Sequence, residues 1–531
     1  MNRRALLATA AAATLASPRA VRAAGSTTLR FIPQADLSIL DPHVNTAYVT
    51  RNHGYMVYDT LYGTDAQYRV SGQMVEGHTT EDEGRRWTLT LRPGLLWHDG
   101  TPVLARDCVA SIRRWGARDT FGQTLLAATD SLDAPDDRRI VFRLRQPFPL
   151  LPEALAKTGV YMPAMMPERL ARTDPATPII EIIGSGPFRW KPDERIPGAR
   201  AVWERNPAYV PLPNGTPSYT AGPKVVKLDR VEWTTIPDGA TAAAALQNNE
   251  QDWWESTTPD LNELLRRNRA ITVESLDSAG TIGMLRPNHL QPPFDNPAIR
   301  RAVLHALDQN AMMQVVIGDD PTLYNDHVGV FMPGSPMANT AGLDAIGSQK
   351  NDLPAVAKAL KDAGYKGETV ELIVPTDYLH MRLMGEVVAD TMRRAGMTVN
   401  YVATDWATML QRRTNKGPVG NGAGQGGWSG FITSWTGSDW LNPATHISLH
   451  GNGLAGYPGW STSEKTESLI AAWFDAPTLE ARQAICRDIQ VQSMEDVPFF
   501  PLGQFAGTTA HRNLTGVLRG FATFWNVRSV G

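Results

Sequence analysis

The sequence predicts a mixed α/β (α+β) protein of more than one domain, and three observations predict it. Its 531 residues exceed what one core holds, because single cores stop growing near ~250–300 residues. Residues 86–92 and 140–144 alternate apolar with polar, the period of a half-buried strand. Residues 370–402 read strand, helix, strand, and a β-α-β unit implies a parallel or mixed sheet. Composition agrees with a folded chain: 42% of residues are hydrophobic and 20% charged.

The elements follow in order. Residues 1–24 open with Arg3 and Arg4, run through alanine and leucine, and end near Ala23 and Ala24. That is a charged start, a short apolar stretch and a small-residue cleavage site, so we expect an export signal. The paired arginines fit the twin-arginine route. Leu6 and Leu7 stand where that pattern usually has phenylalanine, which leaves the general secretory route open. No cysteine lies near this end for lipid attachment. No later run of 18 apolar residues exists to cross a membrane. Trp87, Leu89 and Leu91 share one strand face, as do Ile140, Phe142 and Leu144. Between them Leu104, Cys108, Ile112 and Trp115 recur at helical spacing, and Pro93-Gly94 and Asp99-Gly100 mark turns. Residues 64–181 therefore form a compact unit. Asn296-Pro297 opens a helix, because asparagine caps free N–H groups and proline is tolerated at the first helical position. Ile299, Val303, Ala306 and Leu307 are its buried stripe. Strands are expected at 370–374 and 399–402, with a helix over 380–395 stopped by Gly396. Met384, Val387, Val388 and Thr391 are expected to face inward. Residues 206–223 and the glycine-rich 417–430 read as loops.

The sequence carries none of the common catalytic motifs. There is no G-x-S-x-G elbow, H-E-x-x-H, Walker glycine–lysine loop or paired C-x-x-C. The eleven histidines are scattered rather than set at metal-ligand spacing, so neither a metal nor a cofactor is expected. Net charge is -3, and four basic residues (Arg3, Arg4, Arg19, Arg22) lie in the export signal. What remains is more acidic still, which argues against a nucleic-acid partner. Cys108 and Cys486 both sit at apolar helix positions and are expected as buried free thiols.

Several segments, in order, resemble the family 5 extracellular solute-binding proteins of ABC importers, the dipeptide- and oligopeptide-binding kind. They are Leu40-Asp41-Pro42, Val57-Tyr58-Asp59-Thr60-Leu61, and the run from Arg86 through Trp97-His98-Asp99-Gly100-Thr101-Pro102 to Val109. Further on come Gly184-Ser185-Gly186-Pro187-Phe188, Glu204-Arg205-Asn206-Pro207-Ala208-Tyr209, and Asn288 followed by Pro293-Phe294-Asp295 and Arg300-Arg301-Ala302. Ala363-Gly364-Tyr365, Arg482 and the 490–501 stretch complete the series.

The resemblance implies a two-lobed periplasmic-binding-protein fold with a hinge and an extra subdomain in the first lobe. The expected boundaries are 25–63, 182–282 and 500–531 for the first lobe, 64–181 for the inserted subdomain and 283–499 for the second lobe. It implies a monomeric periplasmic protein that catches a peptide or other small polar solute between closing lobes and presents it to an inner-membrane ABC permease. Binding is then the function and no bond is broken. A sensor that presents solute to a membrane receptor is the alternative, and a secreted hydrolase is less favoured.

In dipeptide-binding relatives a second-lobe arginine takes the ligand carboxylate, and Arg382 matches that position before Gly396. A guanidinium can grip a carboxylate with two parallel hydrogen bonds. An aspartate in a W-T-G-D segment takes the ligand amine. Here the segment is Trp435-Thr436-Gly437-Ser438-Asp439-Trp440, so Ser438 holds the aspartate position and Asp439 follows one residue later. Thr436 and Asp439 are carried forward as polar contacts, with Trp435 and Trp440 as cleft aromatics. Arg286, near the hinge, and Tyr48, in the first lobe, complete the candidates.

Overall fold

The computed structural model describes residues 27–277, 279–347, 352–419 and 426–529. The export signal over 1–24 lies outside the described residues, as does part of the glycine-rich loop. Two large sheets organise the chain. The first has seven strands, in spatial order Ile271–Glu274, Thr509–Arg512, Trp253–Trp254, Thr28–Ile32, Arg230–Thr234, Arg200–Arg205 and Phe188–Trp190. Thr28–Ile32 runs parallel to both of its neighbours. Aromatic rings fill the core on this sheet: Phe31 lies 5.0 to 5.4 Å from the rings of Trp233, Trp253 and Phe524. Edge-to-face and tilted packing of this kind suits the ring quadrupoles.

The second sheet has six strands, in the order Tyr324–Asn325, Phe500–Phe505, Thr281–Pro287, Gly430–Thr436, Val370–Pro375 and Val399–Thr404. The expected β-α-β unit is present. Val370–Pro375 and Val399–Thr404 pair in parallel, joined by the helix Leu379–Arg394. That helix buries Met384 and Val388 as expected, with Met381 and Met392 on the same stripe, while Val387 and Thr391 are only partly covered. Asn296 caps the helix Pro297–Ala306 by accepting from the backbone N–H of Ala298.

A four-stranded antiparallel sheet forms the centre of the inserted unit, in the order Val75–Glu81, Arg86–Leu91, Arg139–Leu144 and Thr129–Asp133. Trp87, Leu89 and Leu91 are buried and their neighbours are not, as the alternation requires. Asp107 organises the following helix, Ala105–Gly116. Its carboxylate accepts from Leu104 N–H at 2.9 Å and from Trp97 Nε1 at 3.2 Å. A side chain that satisfies free N–H groups of the first turn fixes where the helix starts. Cys108 and Cys486 are buried free thiols, and burial pushes both up.

The chain passes between the two large sheets along two adjacent routes. Glu274 pairs with Thr509 in the first sheet, and Thr281 pairs with Phe505 in the second. Residues 275–280 and 506–508 are thus the crossings, side by side. This corrects one expectation. The expected boundaries put Phe500–Phe505 in the first lobe, yet its partners are Thr281–Leu285 and Tyr324–Asn325 of the second sheet. The strand is buried along its whole length, so no alternation announces which sheet it joins.

Candidate functional site

The helix Tyr48–Val57 ends its first-lobe approach at the second lobe. Its first residue makes the contact. Tyr48 Oη donates to Asp439 Oδ2 at 2.8 Å and accepts from the Thr436 N–H at 2.6 Å. The other carboxylate oxygen of Asp439 accepts from the Val160 N–H of the inserted unit at 3.2 Å. Gly159 makes this approach possible, because a Cβ there would overlap Asp439 Oδ1. Burial raises the Asp439 carboxyl, with the nearby Lys157 ammonium opposing. Lys157 is itself paired with Asp119. Three of the sequence candidates, Tyr48, Thr436 and Asp439, therefore meet across the lobes.

The other four fare differently. Trp435 is 6% exposed, packs edge-on against Tyr457 at 5.6 Å, and leaves its Nε1–H unpartnered. Trp440 stacks on His446 at 4.4 Å and lies against Phe499, within the second-lobe core rather than on the cleft. Arg286 is fully buried and engaged by backbone. Its guanidinium donates to the carbonyls of Ser448, Pro498 and Pro458 at 2.8 to 2.9 Å and to that of Tyr457 at 3.4 Å. Burial lowers it to about 10. Arg382 is 42% exposed and pairs with Glu386 one turn along its own helix. The helix turns that side chain outward, which spacing to Gly396 did not reveal.

The space beside the Tyr48–Asp439 contact holds groups that the sequence candidates omit. Arg51 lies one turn after Tyr48, on the same helix face. It is 5% exposed, its ring neighbours are Tyr48 and Phe521 at 4.7 and 3.9 Å, and its Nη1 is unpartnered. Its Nε and Nη2 both reach Asn52 Oδ1, at 3.3 and 3.1 Å. Asn52 Nδ2 in turn donates to Glu255 Oε1 at 2.6 Å, and the Gln34 N–H donates to Glu255 Oε2 at 2.8 Å. Asp277, in the first crossing, accepts from the Ala279 N–H at 3.0 Å. Burial raises both carboxyls, and the Arg51 guanidinium opposes the rise in each. Both still keep part of their surface open.

On the second-lobe side stand Tyr378, raised to about 12 by burial with Asp377 and Glu255 adding to it, and His380. His380 Nε2 lies 3.0 Å from Ser434 Oγ, and burial depresses it to about 4, so it is neutral. Arg413 donates to Tyr457 Oη at 2.7 Å and leaves its Nε unpartnered. Only Arg51 carried a legible signal, its position one turn from Tyr48. Glu255 and Asp277 are brought there by strand ends far apart in the chain. Among the described residues no three His, Cys, Asp or Glu side chains stand together as metal ligands, and no helix is long and apolar enough to cross a membrane.

Comparison with known proteins bears on the same architecture. A probable peptide ABC transporter periplasmic-binding protein of Sinorhizobium fredii is 36% identical over 528 residues, covering 98% of this chain and 97% of that one. Two solved structures share the fold. One is a dipeptide-binding protein from Pseudoalteromonas sp. SM9913 in complex with Met-Leu, with TM-score 0.76, 20% identity, and 95% and 100% of the two chains covered. The other is the binding protein AgaA from A. tumefaciens R10 in complex with agropinic acid, with TM-score 0.77, 18% identity, and 95% and 99% covered. The family model for bacterial extracellular solute-binding proteins, family 5 Middle, matches residues 69–452. With two sheets joined by paired crossings and polar side chains of the two lobes meeting between them, the chain belongs to the family 5 bacterial extracellular solute-binding proteins.

Proposed function

We propose that the protein captures a peptide or similar small polar solute in the periplasm, between its two lobes, and delivers it intact to an inner-membrane ABC permease. One observation carries the reading. Unpartnered, nearly buried donors from both lobes, Arg51 Nη1 and Trp435 Nε1, flank the point where Tyr48 meets Asp439. A buried donor without an acceptor costs free energy, and a bound solute would supply the acceptor. Contacts from both lobes are also what ligand-linked closure requires, because a solute shifts the equilibrium only by binding the closed form better. The Sinorhizobium relative's name supports a peptide, and the Met-Leu complex supports a cleft of this shape for one. No step of bond chemistry is needed.

The test is a thermal-shift screen of the purified protein with dipeptides, tripeptides, amino acids, oligosaccharides, nickel and heme. A true solute at ~100 times its dissociation constant adds roughly 2.7 kcal/mol to apparent stability. Small-angle scattering with the same solute is expected to show a smaller radius of gyration. A stabilising solute that leaves the protein's dimensions unchanged would contradict capture by closure.

A further inference from the structure

The first-lobe wall of the cleft carries charge that the protein does not neutralise. Among the described residues neither Glu255 nor Asp277 forms an ion pair, and Arg51 forms none either. Glu255 is nonetheless held firmly, by Gln34 N–H and by Asn52. Asn52 also fixes Arg51, so guanidinium and carboxylate are set by one amide. Asp277 comes from the hinge crossing and is fixed by a turn to Ala279. Arg51 is nearly buried with Nη1 free of any acceptor, is joined to Glu255 through Asn52, and its charge acts on Asp277.

Resting on the cleft being the solute site, we propose that this wall is a clamp for an amino-acyl group. The solute's ammonium sits between Glu255 and Asp277, and the adjacent carbonyl or carboxylate oxygen accepts from Arg51 Nη1. The charges favour this over the other solute classes. On the first-lobe wall an anionic solute would meet two carboxylates, Glu255 and Asp277, against the one guanidinium of Arg51. A neutral sugar would close the lobes over two carboxylates that share one guanidinium, and the charge left over is penalised by desolvation. An ammonium with a neighbouring acceptor answers both demands at once. Asp439 already has an ammonium acting on it, that of Lys157, whereas Arg51 is the one cation acting on Glu255 and Asp277. The solute's amino end therefore points to the first lobe and the hinge. The resemblance to dipeptide-binding relatives places it instead on a second-lobe aspartate. The apolar remainder of the solute faces Trp435 and Tyr378 in the second lobe.

A mixed dipeptide library, and the same library after complete N-acetylation, test the clamp by thermal shift and by native mass spectrometry of the retained species. The free-amine library is expected to stabilise the protein and the acetylated library to leave it unchanged. For a retained dipeptide, Glu255→Gln and Asp277→Asn are each expected to weaken binding about thirtyfold. Both variants are expected to fold, which the unliganded melting temperature checks. Equal binding of the acetylated library would overturn the clamp, and so would undiminished affinity in both variants. Stabilisation by a solute lacking an ammonium, such as an oligosaccharide, would also overturn it while leaving solute capture intact. If no solute of any class closed the lobes, both readings would fall together.

Discussion

Arg286 and Arg382 show how far apart two arginines of equal promise in the sequence can lie. Arg286 answers the carbonyls of four residues from the second lobe's loops and stacks near the Tyr457 ring at 5.3 Å. It is a tie inside the lobe. Arg286→Ala would strand several buried acceptors, each worth about 1–3 kcal/mol when left unmade. We expect a loss of about 3 kcal/mol or more in urea unfolding. Arg382 has only an exposed partner one turn away, and such pairs are worth about 0.3–0.5 kcal/mol. Arg382→Ala is expected to leave both stability and solute affinity almost unchanged. A tenfold loss of affinity would return the carboxylate role to Arg382. Sequence could pair this residue with a family position, but it could not show which way the helix turned. The Trp435–Trp440 segment behaves in the same manner. It placed Thr436 and Asp439 at the cleft, yet the short turn Gly437–Trp440 swings Trp440 into the core.

At the scale of elements, legibility followed local pattern. The four-stranded sheet alternates cleanly and the β-α-β unit is contiguous, so both could be read from periodicity. The seven-stranded sheet could not be. Its strands come from residues near 30, 190–234, 253, 271 and 509, and two of them have three residues or fewer. Only long-range pairing defines it. Thr281–Pro287 and Phe500–Phe505 are buried on both faces, so they carry no period to read. Another feature without a sequence signal is the contact between the inserted unit and the second lobe. Phe121 and Phe148 lie 6.1 and 5.9 Å from Phe474, on the helix Glu464–Asp475. These rings meet only when the lobes are together. Such pairs are worth about 0.5–1.5 kcal/mol each. Phe474→Ala is therefore expected to weaken solute binding roughly fivefold without touching the solute. Scattering of the unliganded variant should show a larger radius of gyration than wild type. An unchanged affinity would mean that the rings are not part of the closing equilibrium.

For the whole molecule, the two crossings at 275–280 and 506–508 let one lobe turn on the other while each sheet stays intact. Closing over the cleft then has an electrostatic cost that depends on pH. Burial raises the carboxyls of Glu255, Asp277 and Asp439 in this arrangement. A raised carboxyl binds its proton more tightly in the folded, closed chain than in the unfolded one. Its favourable contribution is full below the ordinary carboxylate value of about 4 and is lost as pH climbs through the raised values. Ionising these groups in the unliganded protein therefore has a cost that grows as pH rises, as binding sites commonly bear. Removing two of them should relieve it. The double variant Glu255→Gln/Asp277→Asn is expected to melt near the wild-type temperature at about pH 4 and progressively above it toward about pH 7. With an amine-bearing solute bound the order should reverse, because the ammonium neutralises the wild-type carboxylates and leaves the amides less to bind. A melting difference that stayed flat from acid to neutral pH would show that the two carboxyls are already compensated within the protein. The charge of the cleft would then not select the charge of its solute.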